Sequence, residues 1–241
     1  GDSILSFQVV ARANRAGIKL NLKQFYEHPT IAELARLAQT NGTVDGDATS
    51  VSTSATHDLQ QLERLRERPE IADAYFLSPL QQGMLFHDLS NPAASEYVEV
   101  VSFKAPEKLD PQMFERAWQL VFQQHPILRT ALIWDEFDEP VQVVYRNAQL
   151  KIEQHDWSDL PVSKQQAQLE AYIKDEQRRT FNLSEAPLMH LSLIKLADDS
   201  YQFVWSYKHL ILDGWSQGLV LRNLGEAYNA FTSGKEPQPE E

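Results

Sequence analysis

The alternation of apolar and polar residues along the chain predicts a mixture of strands and helices. A period of two residues marks half-buried strands, whereas apolar residues three or four positions apart mark helices that bury one face. The predicted strands are 97–103, 127–134, 141–145, 188–196 and 201–207. The predicted helices in the same region are 79–89, one that opens at 110–111, 165–179 and 214–231. Strands interleaved with helices are typical of a layered α/β sandwich.

Short polar segments mark where several of these elements begin or turn. Ser78 precedes a helix with proline at its first position, and its hydroxyl can accept a backbone N–H there. Asp110 stands in the same relation to the next helix. Residues 198–200 are the predicted turn between the last two strands, which are therefore expected to pair as a hairpin.

Composition divides the chain into a short N-terminal unit, a linker and a larger second unit. Residues 1–40 contain two short helical stretches, too little chain for an independent core. Thr30 can cap the second stretch, with a glutamate three positions later completing a capping box. Residues 41–58 are rich in Gly, Ser, Thr, Asp and Ala, which predicts a flexible linker, and 59–73 is a charged linker helix. The second unit is predicted from 74 to 241.

The overall composition restricts the function. With 42% hydrophobic residues and five tryptophans among 241 residues, the chain can bury a core. Its net charge of −12 argues against a nucleic-acid surface, because phosphate binding requires clustered Lys and Arg. The absence of cysteine excludes disulfides, zinc–thiolate sites and a cysteine nucleophile. Since no basic leader or membrane-length apolar run is present, we expect a cytoplasmic protein without nucleic-acid or membrane partners.

The stretch 208–216 carries the clearest chemical signal. A predicted strand delivers His209 into a turn, Asp213 follows, and Gly214 opens a helix, while Trp215 is expected to pack rather than to react. A histidine of near-neutral pKa can accept a proton from an attacking amine or hold its lone pair in line. The same histidine and aspartate have the spacing of a metal pair. However, the other histidines occur singly and no cysteine is present, so no metal site is predicted.

Three stretches, in order, resemble the core motifs of the condensation domains of nonribosomal peptide synthetases. Residues 77–87 resemble the first motif, residues 124–130 the second, and residues 208–216 the HHxxxDG signature. The resemblance covers nearly all of 74–232 and implies one lobe of a chloramphenicol acetyltransferase-like fold, a layered α/β sandwich. Lys208 departs from the pattern, because the family usually has its first histidine there.

The resemblance implies the role of His209, and the chemistry of the other residues of this site indicates theirs. His209 is the implied catalytic histidine, as a base or as a positioner of the amine. Asp213 is expected to accept N–H bonds at the start of the next helix and to pair with a buried cation, for which Arg129 is the candidate. Gly214 is expected to permit close approach of a phosphopantetheine arm. Lys208 is expected to point away from the working side of the histidine and, if buried, to be paired.

Residues 2–4 and 25–34 resemble the second half of a peptidyl carrier domain. In that family a serine at the start of a helix carries 4'-phosphopantetheine, which implies covalent attachment of this cofactor at Ser3. A helix N-terminus presents the hydroxyl outward and favours an attached phosphodiester. The plainer interpretation of Ser3 is an N-cap. The family's first helix has no counterpart in the sequence, so the unit is expected to be a partial, small helical carrier domain.

The resemblance therefore predicts part of a nonribosomal peptide synthetase of secondary metabolite biosynthesis. The implied reaction joins a carrier-bound aminoacyl or peptidyl thioester to the amine of a downstream carrier-bound aminoacyl group. Implied partners are upstream and downstream carrier domains and an adjacent adenylation domain. Family members have a second lobe without a counterpart in residues 1–241, so the chain alone is expected to be inactive. The alternatives are an epimerisation domain of the same superfamily, which Asp2 before Ser3 favours, and a catalytically degenerate carrier-docking module.

Overall fold

The computed structural model describes residues 30–40, 59–91, 97–134 and 139–237, apart from 61 and 106, and a few single positions before residue 30. The helices are α1 (Ile31–Thr40), α2 (Pro79–Ser90), α3 (Pro111–Gln124), α4 (Val162–Gln177) and α5 (Gly214–Thr232). The strands are β1 (Ile71–Phe76), β2 (Val98–Lys104), β3 (Thr130–Ile133), β4 (Val141–Tyr145), β5 (Ile152–Asp156), β6 (Met189–Ala197) and β7 (Ser200–Lys208). Residues 62–66 are helical before β1, and a 3₁₀ turn, Pro126–Arg129, precedes β3.

The strands form two sheets. The larger sheet has the order β2-β7-β6-β5, in which β7 is antiparallel to both of its neighbours and β5 is parallel to β6. The smaller sheet has the order β1-β4-β3 and is antiparallel throughout. Strand β7 thus has a partner along each edge, and it ends at Lys208, directly before His209. The larger sheet therefore determines where this histidine leaves the fold.

The main core lies between the larger sheet and the helices α3 and α5. Phe203 and Trp205 of β7 enter this core, where the Trp118 ring centroid lies 5.7 Å from that of Phe203 and 5.2 Å from that of Trp205. The intervening Val204 points to the other face of the sheet and packs beside Trp157, next to residues of α4. Strand β7 is therefore held by apolar packing on both faces. Each large apolar side chain buried in this way contributes roughly 1.5–3 kcal/mol.

Most of the predicted elements are present. The hairpin of β6 and β7 is confirmed, as are both caps: the Ser78 side chain accepts the backbone N–H of Gln81, and Asp110 caps α3. The predicted strand 127–134 is wrong in its first half. Pro126 opens a 3₁₀ turn there, since its fixed φ suits the start of a helical turn, and the strand begins at Thr130.

Two strands escaped prediction from the sequence. Strand β1 crosses the boundary predicted between residues 73 and 74, and Leu62 and Leu65 before it pack with Ile71 in one buried cluster. Residues 62–73 therefore contribute to the core of the second unit rather than to a linker. Strand β5 is the edge of the larger sheet, and its polar sequence IEQHD gives no apolar alternation to detect.

In the N-terminal unit, the structure describes α1 and the predicted cap before it. The Thr30 hydroxyl donates to the Glu33 carboxylate at 2.7 Å, and the Glu33 backbone N–H donates back to the hydroxyl at 3.3 Å. The side-chain bond from Thr30 lowers the pKa of Glu33. Ser3 and the linker at 41–58 lie outside the described residues, so the role of Ser3 and the bounds of the linker stay predictions. In the described segments, no helix has the length and apolarity needed to cross a membrane.

A buried carboxylate attaches α4 to the larger sheet. Glu176 is 2% exposed and accepts two hydrogen bonds from Arg179, at 2.8 and 2.6 Å, and one from Ser206 of β7. His190 of β6 lies 3.2 Å from the same carboxylate, and its other ring nitrogen lies 2.9 Å from Glu153 of β5. Burial alone would raise the pKa of Glu176, but the bonds from His190, Arg179 and Ser206 outweigh it and hold the pKa far below its usual range.

We expect Glu176→Gln to lower the free energy of unfolding by about 3 kcal/mol at pH 7, since it removes the buried charge to which Arg179 and Ser206 donate. The folded-state pKa of Glu176 lies below its ordinary value of 4.5, so this stabilisation is complete above that pH and is lost as the pH falls below it. Urea unfolding between pH 7 and pH 3 should show the two proteins converging in acid. The exposed Glu170→Gln on the same helix is the control, and a pH-independent difference would contradict the assignment.

Candidate active site

His209 follows β7 directly and is held by backbone groups at two points. Its own N–H donates to the Tyr97 carbonyl at 2.8 Å, and its Nδ1 lies 2.8 Å from the Leu212 carbonyl oxygen. Because a carbonyl only accepts, Nδ1 carries the hydrogen in this bond. The neutral ring then has its lone pair on Nε2. The half-buried imidazole is therefore oriented as a proton acceptor at Nε2.

Tyr97, which holds the backbone of His209, has an unusual conformation. Its φ is +60°, a left-handed value that costs a bulky residue about 1–3 kcal/mol. The His87 ring of α2 supports the Tyr97 ring edge-on, with the centroids 6.0 Å apart. Strand β2 begins at the next residue, Val98, whose register partner is Lys208. The end of β7 is thus fixed against the start of β2.

Asp213 is the N-cap of α5, as its expected role in helix initiation requires. Its Oδ1 accepts the backbone N–H of Ser216 at 2.8 Å, and this bond lowers the pKa of Asp213. Its expected ion pair with Arg129 is wrong. Asp213 is exposed, whereas Arg129 is buried, with its guanidinium donating to the carbonyls of Tyr145 and Gln123. Arg129 closes the 3₁₀ turn against β4 and α3, and these two carbonyls take the place of the expected carboxylate. Its burial lowers its pKa.

Lys208 occupies the position of the motif's usual first histidine and is 3% exposed. Its ammonium lies 2.6 Å from Oδ1 of Asp88 on α2. The requirement that a buried Lys208 be paired is therefore met. A cavity of about 250 Å³ adjoins the pair and is also lined by Trp134, Phe181 and Arg179. Because Lys208 lies two residues after Ser206, it shares the sheet face on which Ser206 meets Glu176 of α4.

Gly214 and Trp215, which follow Asp213 in the motif, face open space within the described part of the chain. A Cβ added to Gly214 would have no described neighbour within 4 Å, so its role in admitting a phosphopantetheine arm stays a prediction. Trp215 is 92% exposed, and the packing expected for it is therefore not found among the described residues. Leu219, one turn later on the same helix, is 42% exposed. The first turns of α5 thus leave an apolar surface beside the histidine loop.

His125, in the second motif, has a structural role. Its Nε2 accepts a hydrogen bond from the Asn223 side chain at 3.1 Å, which joins the end of α3 to α5. Burial lowers the pKa of His125, in keeping with a neutral ring.

Among the described residues, no group of three or more His, Cys, Asp or Glu side chains could hold a metal ion.

Sequence reasoning missed the polar side chains that support the histidine loop from behind. The Gln81 amide nitrogen lies 3.2 Å from the Leu210 carbonyl and 2.8 Å from the Gln142 side-chain oxygen. Gln142 is fully buried and donates to the Tyr75 hydroxyl at 2.8 Å. The spacing of Ser78 and Gln81 could have identified Gln81 as part of a capping box. No local signal connects it with Leu210, which is 129 positions away.

We expect Asp213→Ala to lower the melting temperature by about 2–4 °C, since it removes one exposed helix cap. Asp213→Asn is the matched control, because asparagine caps helices as well as aspartate does. Thermal unfolding followed by circular dichroism measures both variants. A much larger loss in the alanine variant, shared by the asparagine variant, would support a buried ion pair instead.

Comparison with known proteins agrees with this geometry. Residues 71–241 match the family model described as a condensation domain, and residues 1–38 match the phosphopantetheine attachment site. The chain is 39% identical over 168 residues to a linear gramicidin synthase of Brevibacillus parabrevis, covering 70% of this chain and 2% of that protein. It is 36% identical over 168 residues to surfactin synthase subunit 3 of Bacillus subtilis, covering 70% of this chain and 13% of that protein. The chain thus spans a small part of these relatives.

Solved structures give the same result for the fold. The starter condensation domain of rhizomide synthetase matches with a TM-score of 0.63 and 23% identity, covering 70% of this chain and 42% of that chain. The first condensation domain of the calcium-dependent antibiotic synthetase matches with a TM-score of 0.61 and 19% identity, covering 69% and 40%. The predicted chloramphenicol acetyltransferase-like fold is confirmed. The chain belongs to the condensation-domain family of nonribosomal peptide synthetases, and its residues 1–38 are the end of a carrier domain.

Proposed function

We propose that residues 71–241 provide the histidine-bearing lobe of a domain that forms an amide between two carrier-bound substrates. The observation that carries this proposal is the hydrogen bond between His209 Nδ1 and the Leu212 carbonyl, which leaves Nε2 as an acceptor. The family match supports the reaction class, and the half-buried position of the ring gives it access to a substrate. An oriented, neutral imidazole is the group that amide formation from an amine requires.

The proposed chemistry follows from this orientation. The acceptor amine attacks the carbonyl carbon of the donor thioester, forming the C–N bond, and the amine proton passes to Nε2 of His209. The C–S bond then breaks, and the leaving thiolate takes up the proton. Throughout, the Leu212 carbonyl accepts the Nδ1 hydrogen and stabilises the ring when it is positively charged. A histidine that positions the amine without accepting its proton would use the same geometry.

We further propose that Ser3 is the attachment residue for 4'-phosphopantetheine. Residues 1–38 match the attachment-site family, and Ser3 has the hydroxyl that a phosphodiester requires. Ser3 itself lies outside the described residues, and the assignment rests on the family match. When bound, the cofactor supplies the thiol on which an acyl group is carried. Carrier domains before and after the lobe and an adjacent adenylation domain are the proposed partners, in the cytoplasm.

A second lobe is proposed to complete the site. The chain matches 42% of the length of a solved condensation domain, so that domain contains further structure beyond the matched part. The exposed Trp215 and Leu219 beside the histidine loop are suited to apolar contact with such a lobe. We therefore expect the 241-residue chain to be inactive without the rest of the domain.

Within the full-length protein, we expect His209→Ala to reduce peptide formation from carrier-loaded donor and acceptor by about 10²–10⁴-fold. The melting temperature should change little, because the ring is half-exposed. His155→Gln is the control, since His155 lies on β5, two strands away from β7 in the sheet. Mass spectrometry of the carrier-bound product measures the rate. Undiminished peptide formation by the His209 variant would contradict the proposed role, and inversion of the donor without peptide formation would favour an epimerisation domain.

Lys208 separates an active domain from a degenerate docking module. Because its ammonium is bound to Asp88, we expect Lys208→His to give no large gain in peptide formation in the full-length protein. We expect Lys208→Met to lower the free energy of unfolding by about 3–5 kcal/mol, since it removes the ammonium that pairs with the largely buried Asp88 carboxylate. Lys195→Met, at a partly exposed position on β6, is the matched control. A large gain from Lys208→His would indicate that the native site has decayed.

A further inference from the structure

Helix α2 contacts the residues on both sides of His209. At its N-terminal end, the Gln81 amide donates to the carbonyl of Leu210, the residue after the histidine, at 3.2 Å. At its C-terminal end, Asp88 accepts from the ammonium of Lys208, the residue before the histidine, at 2.6 Å. The two positions lie about two helical turns apart, so they share one face of α2. One rigid helix therefore holds both neighbours of the histidine.

The Gln81 side chain is fixed by its own hydrogen bonds. Its amide oxygen accepts from the backbone N–H and the hydroxyl of Ser78, both at 3.0 Å. Its amide nitrogen donates to the side-chain oxygen of Gln142 at 2.8 Å and to the Leu210 carbonyl. A side-chain amide has two donor hydrogens and two acceptor lone pairs, and all four are engaged here. The amide therefore has one orientation, with its donors directed at the loop.

This amide also joins the loop to the smaller sheet. Gln142 on β4 is fully buried and donates onward to the Tyr75 hydroxyl of β1 at 2.8 Å. The Leu210 carbonyl is thus the end of a chain of directional bonds that begins in a second sheet. Residues 209–211 form a turn without a ladder of their own, so contacts of this kind decide where the turn lies. An unsatisfied group at the buried Gln142 is costly, which makes the arrangement specific.

We propose that Gln81 is a positioning residue for His209: its amide holds the Leu210 carbonyl and thereby fixes the direction in which Nε2 of the histidine faces its substrate. This inference rests on the proposed amide-forming function, since it assigns a reason for the orientation of the catalytic group. Gln81 does not itself touch the reacting atoms. It acts through the peptide next to the histidine, in the way that a supporting hydrogen bond preorganises a catalytic side chain.

Gln81→Glu tests the donor separately from the cap. A glutamate keeps the oxygen that accepts from Ser78, and glutamate is a favoured residue at this position of a capping box. It replaces the donating nitrogen by an oxygen that faces two acceptors, Gln142 and the Leu210 carbonyl. Gln81→Met removes the donor without adding charge. Gln82→Glu is the matched control, since Gln82 donates to the Leu77 carbonyl at 3.0 Å and is the adjacent residue of the same helix.

In the full-length protein, we expect both Gln81 variants to lower kcat for peptide formation by about 10- to 100-fold, with a smaller change in KM. Gln82→Glu should stay within a few-fold of the unaltered protein. In the unaltered 241-residue chain labelled with ¹⁵N-histidine, the ring-nitrogen resonances of His209 should indicate the Nδ1–H tautomer alone. In the Gln81 variants, but not in Gln82→Glu, they should indicate a mixture of tautomers. The resonances are assigned by their absence in His209→Ala.

The inference is overturned if folded Gln81 variants keep both the kcat and the His209 resonances of the unaltered protein. It is also overturned if Gln82→Glu shows the same losses, because the effect is then one of helix stability. If the unaltered full-length protein forms no peptide, the proposed function fails. The ¹⁵N resonances then decide the positioning role by themselves, so the two failures are distinguishable.

Discussion

The placement of β7 inside the larger sheet is the constraint on which the candidate site depends. Its neighbours β2 and β6 satisfy the backbone on both edges, and apolar packing covers both faces. A strand in this position cannot slide, because a shift of one residue would exchange the core-facing Trp205 for the polar Ser206. The position at which the chain leaves the sheet is therefore fixed. His209 is the first residue past that point.

Burial on both faces creates a demand that the remaining elements meet. Ser206 and Lys208 are polar, yet both are buried, on the face of β7 that lies against α4. A polar group in that environment must find a partner inside the protein. Glu176 on α4 accepts from Ser206, and Asp88 on α2 pairs with Lys208. On this side of β7, α4 and α2 thus add polar bonds to their apolar contacts, whereas α3 and α5 pack against the other face through apolar side chains.

Much of the fold was predictable because its signals are local. Ser78 and Asp110, each followed by a proline, indicate the starts of helices, and alternation over β6 and β7 identifies a hairpin. Strand β5 gave no such signal, since an edge strand with a polar sequence has no buried stripe to detect. The same reasoning placed His209 at the end of a strand and Asp213 at a helix start. Family resemblance, not periodicity, supplied the reaction.

The partners of these residues were beyond prediction because they depend on tertiary contacts. Arg129 and Asp213 have complementary charges, and no sequence rule tells that one is buried behind β4 while the other caps an exposed helix. Lys208 and Asp88 are separated by 120 positions. Propensity and spacing carry no information at that distance, since the pairing follows from how α2 lies across the end of the sheet. Structure therefore corrects the pairings while leaving the elements largely as expected.

The two contacts made by α2 differ in physical kind, and the difference matters for the histidine between them. The pair of Asp88 and Lys208 is a charge attraction in a buried site, strong but tolerant of angle, so it fixes where the strand ends. The bond from Gln81 to Leu210 weakens steeply when its angle changes, so it fixes how the next peptide is turned. Since that peptide leads into the bond between His209 and Leu212, the orientation of Nε2 depends on the weaker and more directional contact. A lysine can therefore occupy position 208 without changing the direction in which Nε2 of His209 points, provided that the amide of Gln81 stays in place.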